Sequence, residues 1–191
     1  MGLLSRDALK DMGFASLGAD LMISDRASFY GAARISLGDC VRIDDFCVLS
    51  AGEGGVSIGR HVHIAVYTSI IGAGQVIIED FANLSSRVSI YSSSDDYSGA
   101  TMTNPTVPAA YKRVHHAPVR LGRHVIVGCG SVILPGVRLG DGVAVGALSL
   151  VKEDAADFGI YAGNPARRVR ERKRDLLALE QRYMAEKDKA R

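Results

Sequence analysis

The sequence predicts an all-β fold, a parallel β-helix of stacked triangular coils, on the basis of two observations. Aliphatic residues recur every six positions, most regularly at Leu121, Val127, Ile133, Leu139, Val145 and Val151. A second small or β-branched residue stands two positions before each of them, beginning with Val119. Residues two apart on a strand share a face, so each triplet points inward, outward and inward again.

Fifteen such triplets lie between Ile35 and Val151, and three triplets make one coil of eighteen residues, so we expect five coils. Gly, Asp or Ala commonly follows a triplet and marks a corner. The composition agrees: aromatic residues are only 6%, tryptophan is absent and there are 21 glycines. Such a composition suits a narrow core of small aliphatic side chains.

The repeat divides the chain into three parts. Residues 1–34 form a lead-in, with a short helix over about Arg6–Met12 between a Ser or Asp cap and a terminal glycine. Residues 35–160 form the β-helix domain. In residues 161–191 a basic helix is expected from about Pro165 to Lys187. Its apolar stripe, which should cover exposed strand edges, comprises Val169, Leu176, Leu177, Tyr183 and Met184.

The repeat is interrupted by a long loop at residues 91–118, which begins "YSSSDDYSG" and ends "YKRVHHAP". A loop of this length inside a solenoid is usually functional or disordered, and an insertion at a corner costs little stability. Its prolines and the turn-forming residues of "SSSDD" favour a defined shape. We therefore predict an arm that reaches over a groove between subunits.

Bulk properties exclude several classes of protein. The chain of 191 residues has no apolar run of membrane-spanning length and no secretory signal, and its three cysteines are odd in number and widely spaced. These features lead us to expect a cytoplasmic protein with reduced thiols and no membrane partner. From Pro165 onward, ten Lys or Arg face five Asp or Glu. A nucleic-acid or membrane adaptor would use such a tail, but interleaved aromatic residues and an apolar anchor are missing.

Stacking of the coils places the outward side chains of equivalent strands above one another in columns, because neighbouring strands lie about 4.8 Å apart. One face is expected to carry Arg42, His63, Asn83, Ile126 and Ala144 in order. The corner that ends this face carries Asp44 and Asp45, then Ala65, Ser85, Gly128 with Cys129, and Gly146 with Ala147.

Histidine, with a pKa of about 6.5, is suited to general base catalysis. Of five histidines, His63 alone has a position fixed on the polar face by the repeat. His61 and His124 follow corners and are expected to face solvent, whereas His115 and His116 end the loop.

The stretches "LGRHVIVGCGSVILPGVRLGDGVAVGALSLV" and "YAGNPARRV" resemble the hexapeptide acyltransferase family, and the resemblance covers most of the chain. It implies left-handed coils, a homotrimer with active sites between subunits, and acetyl-CoA as co-substrate. It also implies that the pantetheine arm lies along Ser85, Gly128, Gly146 and Ala147, and that Lys152, Arg167 and Arg168 face the coenzyme's phosphates.

The stretches "RIDDFC", "SSDDYSG" and "TNPTVP" resemble enzymes that N-acetylate a nucleotide-linked 4-amino-4,6-dideoxy sugar in the synthesis of surface polysaccharide. We expect the nucleotide to be dTDP. Where many family members have histidine at the start of the arm, this chain has Asp95 or Asp96. The candidate catalytic residues are therefore His63 and its neighbour Asn83, from their place on the polar face, and Asp95, from the resemblance; either His63 or a loop aspartate could accept the proton. The resemblance also implies that the sugar-binding residues are Asp44, Asp45, Asp96 and Tyr97.

Several alternatives remain at this stage. Asp95 and Asp96 could instead form Asx turns that shape the loop, and Asp44 and Asp45 could cap a corner. The acceptor could be a sugar hydroxyl rather than an amine. A zinc enzyme of the γ-carbonic anhydrase type needs three converging histidines, and only His63 lies on the polar edge, so no metal is expected.

Overall fold

The structure is a computed structural model that describes residues 2–189, with side chains to residue 187. Met1, Ala190 and Arg191 lie outside the described residues, and with them the outermost ends of the predicted segments 1–34 and 161–191. Helix α1 spans Arg6–Asp11. The Ser5 hydroxyl caps it by accepting a hydrogen bond from the Ala8 N–H at 3.2 Å, and Met12 ends it. The predicted N-terminal helix is confirmed.

The chain then winds through four triangular coils of three short strands each. These strands are β1 (Ser16–Leu17), β2 (Met22–Ile23), β3 (Ser28–Tyr30), β4 (Ile35–Leu37), β5 (Arg42–Ile43), β6 (Val48–Ala51), β7 (Val56–Ile58), β8 (His63–Ile64), β9 (Ser69–Gly72), β10 (Val76–Ile78), β11 (Asn83–Leu84) and β12 (Ser89–Tyr91). The arm follows at this point, with β13 (Ser93–Asp95) and β14 (Val114–His116).

Two further coils follow the arm, then a partial seventh and the C-terminal elements. They comprise β15 (Val119–Leu121), β16 (Ile126–Val127), β17 (Val132–Ile133), β18 (Arg138–Leu139), β19 (Ala144–Val145), β20 (Leu150–Val151), β21 (Gly159–Ala162), β22 (Arg167–Glu171) and helix α2 (Asp175–Lys189).

Strands of successive coils stack in register into three parallel sheets. Sheet 1 has the order β1-β4-β7-β10-β15-β18, sheet 2 the order β2-β5-β8-β11-β16-β19-β21, and sheet 3 the order β3-β6-β9-β12-β17-β20. Every residue predicted to point inward between Ile35 and Val151 is buried, with at most 4% of its surface exposed. Columns such as Ile43, Ile64 and Leu84 fill the core. The predicted parallel β-helix is confirmed.

The predicted number of five coils is too low, because a complete coil precedes Ile35. Leu17, Ile23 and Phe29 keep the spacing of six, and their strands pair with the next coil. The count is lost after Phe29 because residues 32–34 form a 3₁₀ turn that lengthens the corner. Leu9 of α1 joins the core at this end. The sheets therefore continue through the predicted boundary at residue 34.

The arm is an ordered excursion on a two-stranded antiparallel base. Strands β13 and β14 pair Ser93 with His116 and Ser94 with His115. The Ser93 hydroxyl accepts a hydrogen bond from the Ala73 N–H at 2.7 Å and lies 2.7 Å from His116 Nδ1, so the base of the arm is tied to the third coil.

The C-terminal helix begins later than predicted. Instead of starting near Pro165, the chain forms β22, which pairs antiparallel with β21. An exposed sheet edge leaves backbone groups unpaired, and β22 satisfies those of β21. Val169, assigned to the helical stripe, lies on this strand and is 63% exposed.

Helix α2 covers the corner that carries His61 and His124. Glu180 contacts His124 Nε2 at 2.8 Å, and the Tyr183 ring lies 5.4 Å from the His61 ring. The expectation that both histidines face solvent is therefore wrong, because the helix packs on this corner. Burial, and then the charges of Lys187 and Arg60, lower the pKa of His61.

Candidate active site

Sheet 2 presents a column of polar side chains on its outer face. The register pairs Arg42 with His63, His63 with Asn83 and Asn83 with Ile126. The stacking order expected from the repeat is thus confirmed. Because the three strands are neighbours in one parallel sheet, His63 is held between two polar residues without any contribution from a flexible loop.

His63 belongs to a chain of hydrogen bonds that runs along this column. Its Nδ1 lies 3.0 Å from Asn83 Oδ1, and its Nε2 lies 2.9 Å from Asp44 Oδ2. The other oxygen of Asp44 accepts a hydrogen bond from Arg42 Nε at 2.7 Å. Arg42 therefore fixes Asp44, and Asp44 fixes the imidazole.

Two opposing effects set the pKa of Asp44. Burial raises it, but hydrogen bonds from His63 and Arg42, with their positive charges, outweigh burial and bring the pKa below its ordinary value. Asp44 is thus a carboxylate at neutral pH and accepts hydrogen bonds only.

An ionised Asp44 determines which nitrogen of His63 carries a proton. Nε2 must donate to the carboxylate, so in the neutral ring Nδ1 is the nitrogen with a free lone pair. Asn83 Oδ1, 3.0 Å away, is an acceptor and bonds to Nδ1 when that nitrogen carries a proton; an Asn83 amide turned by 180° would instead donate its N–H₂ to the lone pair. The arrangement can hold a proton at Nδ1 once an incoming group takes the place of the Asn83 contact.

The second predicted aspartate of this corner is differently engaged. Asp45 accepts a hydrogen bond from the Ser24 hydroxyl at 2.5 Å and lies 3.9 Å from Arg26. Both partners belong to the corner of the first coil. Of the two aspartates, Asp44 therefore contacts His63, and Asp45 ties neighbouring corners together.

The predicted corner column is continuous. Backbone N–H groups of Asp44, Ala65, Ser85, Gly128 and Gly146 each donate to a carbonyl of the next coil. A Cβ on Gly128 would lie 2.7 Å from the Gly146 carbonyl carbon and would also contact the Ala147 amide, so this glycine is required by close packing. Gly146 has more room, since its Cβ would meet the Ala162 methyl at 3.0 Å, with the Tyr161 carbonyl oxygen and the Ala162 Cα at 3.6 and 3.7 Å.

Buried hydroxyls hold this column from inside. Thr68 donates to the Ser85 carbonyl at 3.2 Å, and Ser131 and Ser149 donate to the Gly146 carbonyl at 2.9 and 2.8 Å. Their side chains occupy inward positions that aliphatic residues fill elsewhere, and each is at most 2% exposed. The backbone along this edge is therefore fixed, while Ala147 beside it is exposed.

The arm carries Asp95, Asp96 and Tyr97 away from the sheets. Asp96 accepts hydrogen bonds from the Ser98 N–H at 2.8 Å, the Ser98 hydroxyl at 2.6 Å and the Thr101 hydroxyl at 3.0 Å. The bonds from Ser98, then that from Thr101, lower the pKa of Asp96. Asp96 thus forms the Asx turn that the sequence left open.

Asp95 differs from Asp96 because its side chain makes no hydrogen bond or ion pair within residues 2–187. It lines a cavity of about 280 Å³ together with Asp96, Tyr97, Arg113 and His115. A smaller cavity of about 140 Å³ is also lined by Asp95 and Tyr97, whose ring is 93% exposed. Asp95 is the acidic group of the arm that is available to a ligand.

Of the basic residues expected near the coenzyme phosphates, Arg167 and Arg168 pair with Ala162 and Tyr161 of β21, next to Gly146 at the upper end of the corner column, whereas Lys152 follows a strand of sheet 3. Lys152 is exposed after β20, Arg167 lies 3.3 Å from Glu153, and Arg168 forms an ion pair with Glu171. Both arginines stand on β22, not on the helix terminus that the sequence suggested.

Two residues were not recognised from the sequence as parts of the site. Arg42 was placed on the correct face, but its contact with Asp44 was not foreseen, although residues two apart on a strand share a face. Arg113 stands in the quoted stretch "YKRVHHAP", and only the pairing of β13 with β14 brings it near Asp95.

Two general findings complete the description of the chain from residue 2 to residue 187. No three His, Cys, Asp or Glu side chains in this range are grouped so that they could hold a metal ion. No helix among the described residues is long and apolar enough to cross a membrane.

Comparisons with known proteins place this arrangement among acyltransferases, although no protein-family model matches the sequence. The chain is 57% identical to a dTDP-4-amino-4,6-dideoxy-D-glucose acyltransferase of Escherichia coli over 94% of both chains. AntD, an N-acyltransferase from Bacillus cereus, was solved in complex with dTDP and 3-hydroxybutyryl-CoA. That structure matches with a TM-score of 0.93 and 44% identity, over 97% of this chain and 98% of AntD.

A variant of AntD was solved in complex with dTDP-4-amino-4,6-dideoxyglucose and coenzyme A. It matches with the same TM-score of 0.93 and the same 44% identity, over 97% of this chain and 98% of the variant. These similarities cover the coils, the arm and the C-terminal elements alike.

Proposed function

The chain belongs to the hexapeptide-repeat acyltransferase family, and we propose that it transfers an acetyl group from acetyl-CoA to the amino group of a dTDP-linked 4-amino-4,6-dideoxy sugar. The observation that carries this proposal is the 57% identity over 94% of the chain to an acyltransferase of that sugar class. AntD complexes with dTDP, the amino sugar nucleotide and coenzyme A support the same pair of substrates.

In the proposed reaction the bound ammonium group first releases one proton to solvent, and the neutral amine attacks the thioester carbonyl carbon. A C–N bond forms and the C–S bond breaks. The second proton leaves the nitrogen for His63 Nδ1, the proposed acceptor because Asp44 keeps the proton of Nε2 in place, and passes from there to the departing sulfur, so that coenzyme A leaves as the thiol. Asn83 lies beside Nδ1 and is the proposed hydrogen-bonding partner of the tetrahedral oxyanion.

Asp95 is the proposed binding partner of the substrate ammonium group before proton transfer. Its side chain is unpaired within residues 2–187, and a carboxylate forms short, strong hydrogen bonds to an ammonium ion. The AntD variants in the comparison carry substitutions at a serine and an aspartate ten positions apart. Ser85 and Asp95 of this chain are also ten positions apart.

The corner column is the proposed seat of acetyl-CoA. Ser85, Gly128, Gly146 and Ala147 present small side chains along one straight edge, so an extended amide chain can approach the backbone. Arg167 and Arg168 stand near its upper end and, with Lys152, are the proposed contacts of the coenzyme phosphates. To bind phosphate, Arg167 would have to release its ion pair with Glu153, and Arg168 its ion pair with Glu171.

A homotrimer with active sites between subunits is the proposed assembly. Large apolar side chains stand exposed on the corner beside the site: Phe46 at 43%, Tyr67 at 50% and Leu148 at 76%. Exposed apolar side chains clustered at one edge favour an interface. We further propose surface polysaccharide synthesis as the role and the cytoplasm as the compartment, in keeping with three free cysteines.

An assay of thiol release from acetyl-CoA tests the function. The acceptors are a panel of dTDP-linked 4-amino-4,6-dideoxy sugars and their 4-hydroxy counterparts, with dTDP as a blank. We expect turnover of an amino sugar and none of its hydroxy counterpart. Turnover of hydroxy sugars alone would replace the proposal with O-acetylation, and release with neither would overturn it.

A further inference from the structure

The cavity in the arm is built by the antiparallel pair β13 and β14. Their register sets Asp95 opposite Val114; Arg113 directly precedes β14, and His115 lies within it. The Asx turn at Asp96 follows β13, and Tyr97 comes next in the chain. Asp95, Tyr97, Arg113 and His115 together line the cavity of about 280 Å³.

This cavity holds opposite charges that do not neutralise each other. Asp96 uses both carboxylate oxygens on Ser98 and Thr101. Arg113 donates its backbone N–H to the Thr101 hydroxyl at 3.2 Å, but its guanidinium forms no ion pair within 4.0 Å among residues 2–187. Asp95 lines the same cavity and is likewise unpaired in that part of the chain. The strand pair keeps the two groups apart although both line one space.

A ligand that satisfies this cavity carries an anion and a cation at once. An arginine presents a planar fork of donors that matches phosphate oxygens, and Asp95 accepts from an ammonium group. Coenzyme A also carries a diphosphate, so the anion alone does not identify the ligand. An amino sugar joined to a nucleoside diphosphate offers both charges, separated by the sugar ring.

We propose that Arg113, assisted by His115, binds the diphosphate of the nucleotide-linked amino sugar and so determines that the acceptor must be a nucleotide sugar. The inference rests on the proposed function and adds a residue and a chemical group to it. Arg113 acts on binding, at a distance from the amine that reacts. Its loss therefore affects the KM of the sugar nucleotide more than kcat.

The test measures binding by titration calorimetry of dTDP, thymidine and coenzyme A to the full chain. The variants are Arg113→Ala and Arg113→Lys, and the matched control is Arg120→Ala, which removes an arginine paired with Glu79 on sheet 1. We expect Arg113→Ala to weaken dTDP binding by about tenfold to a hundredfold, the range of charge-assisted hydrogen bonds. Arg113→Lys should recover part of the loss, while thymidine and coenzyme A bind each variant as they bind the wild type.

The outcomes separate the inference from the function on which it rests. If the wild type binds dTDP and turns over the amino sugar, but Arg113→Ala binds dTDP within twofold of it, the inference alone is wrong. A larger effect on coenzyme A than on dTDP would assign the cavity to the coenzyme and also overturn the inference. If the wild type binds no dTDP, both fail. Equal melting temperatures of Arg113→Ala and Arg120→Ala would exclude a loss of folding as the cause.

Discussion

The coils and the arm form binding surfaces in opposite ways. In the coils every inward residue of the repeat between Ile35 and Val151 is buried, and the corner column Ser85, Gly128 and Gly146 is fixed by backbone hydrogen bonds and buried hydroxyls. In the arm, Asp95, Tyr97 and Arg113 are exposed, and their positions depend on a two-stranded base of three residue pairs and on an Asx turn.

This difference indicates what each region is suited to bind. A straight edge of small residues fits a long, flexible, mostly neutral chain, whereas a pocket of unpaired charges fits a compact charged ligand. We therefore propose acetyl-CoA as the ligand of the coils and the amino sugar nucleotide as the ligand of the arm. His63 stands on sheet 2, next to the edge that the corner column follows.

The largest expected effect comes from His63, where the two substrates must meet. His63→Gln should lower kcat by about 10²–10⁴-fold, the usual contribution of a general base, while both substrates still bind. The measurement is steady-state thiol release together with calorimetry of each ligand.

The control for this variant is His61→Gln, two residues away, where the ring packs beneath Tyr183 and takes no part in the site. A wild-type kcat for His63→Gln would show that another group accepts the proton.

An intermediate effect is expected from filling the corner column. Ala147→Leu places a larger side chain on an exposed position without a backbone clash, and should raise the KM of acetyl-CoA by about tenfold, in the range of a steric misfit. The KM of the sugar nucleotide should not change. Gly146→Ala is the milder companion, because the added Cβ would meet the Ala162 methyl at 3.0 Å and no other atom nearer than 3.6 Å.

Gly128→Ala provides the structural contrast to these variants. Its added Cβ would lie 2.7 Å from a backbone carbon, so this variant should have a lower melting temperature as well as a weaker affinity for the coenzyme. If Ala147→Leu raised the KM of the sugar nucleotide instead, the assignment of the corner to the coenzyme would be wrong.

The smallest effect concerns acid stability, to which both regions contribute. Hydrogen bonds lower the pKa of Asp44 in the coils, against burial, and of Asp96 in the arm. A carboxyl whose pKa is lower in the folded state stabilises the fold above its unfolded pKa of about 3.9 and loses this effect as pH falls through the folded value. The contribution of these two carboxyls to the melting temperature should therefore be nearly constant from neutral pH to about pH 5 and fall below about pH 4, whereas His61, whose pKa is lowered in the folded protein, already removes some stability below about pH 6.5.

Asp96→Asn separates the contribution of the arm from that of the coils. The variant should melt slightly earlier at neutral pH, and the difference from the wild type should shrink as pH falls towards 3. A difference that grows on acidification would show that Asp96 is not a stabilising carboxylate in the folded protein.

The sequence predicted the coils well and the arm poorly, for a physical reason. Inward positions must hold small or β-branched residues at fixed spacing, so residues such as Ile64 and Val127 reveal the fold in the sequence. The same spacing also predicts that His63 lies beside Asn83. The first coil was missed because a 3₁₀ turn at residues 32–34 shifts the count before Ile35. Repeat patterns reveal stacking but are easily hidden by one irregular corner.

Contacts between separate elements were beyond reach of the sequence. Nothing in the spacing links Asp95 to Arg113, since only the pairing of β13 with β14 brings them to one cavity. The strand β22 was also missed, because Arg167–Glu171 lacks an apolar pattern of either period and pairs only to cover the edge of β21. Partners supplied by tertiary structure override such weak local signals.

The proposal that the coils bind the coenzyme and the arm binds the sugar nucleotide is tested most directly by measuring the affinity of two variants for each of the two ligands. Calorimetry gives the Kd of coenzyme A and of the dTDP-linked amino sugar for Asp95→Asn and Ala147→Leu. We predict that Asp95→Asn weakens only the amino sugar nucleotide and Ala147→Leu weakens only coenzyme A, each by about tenfold. If either variant weakened the binding of both ligands equally, or if Asp95→Asn weakened only coenzyme A and Ala147→Leu only the sugar nucleotide, the assignment of the two ligands would be contradicted.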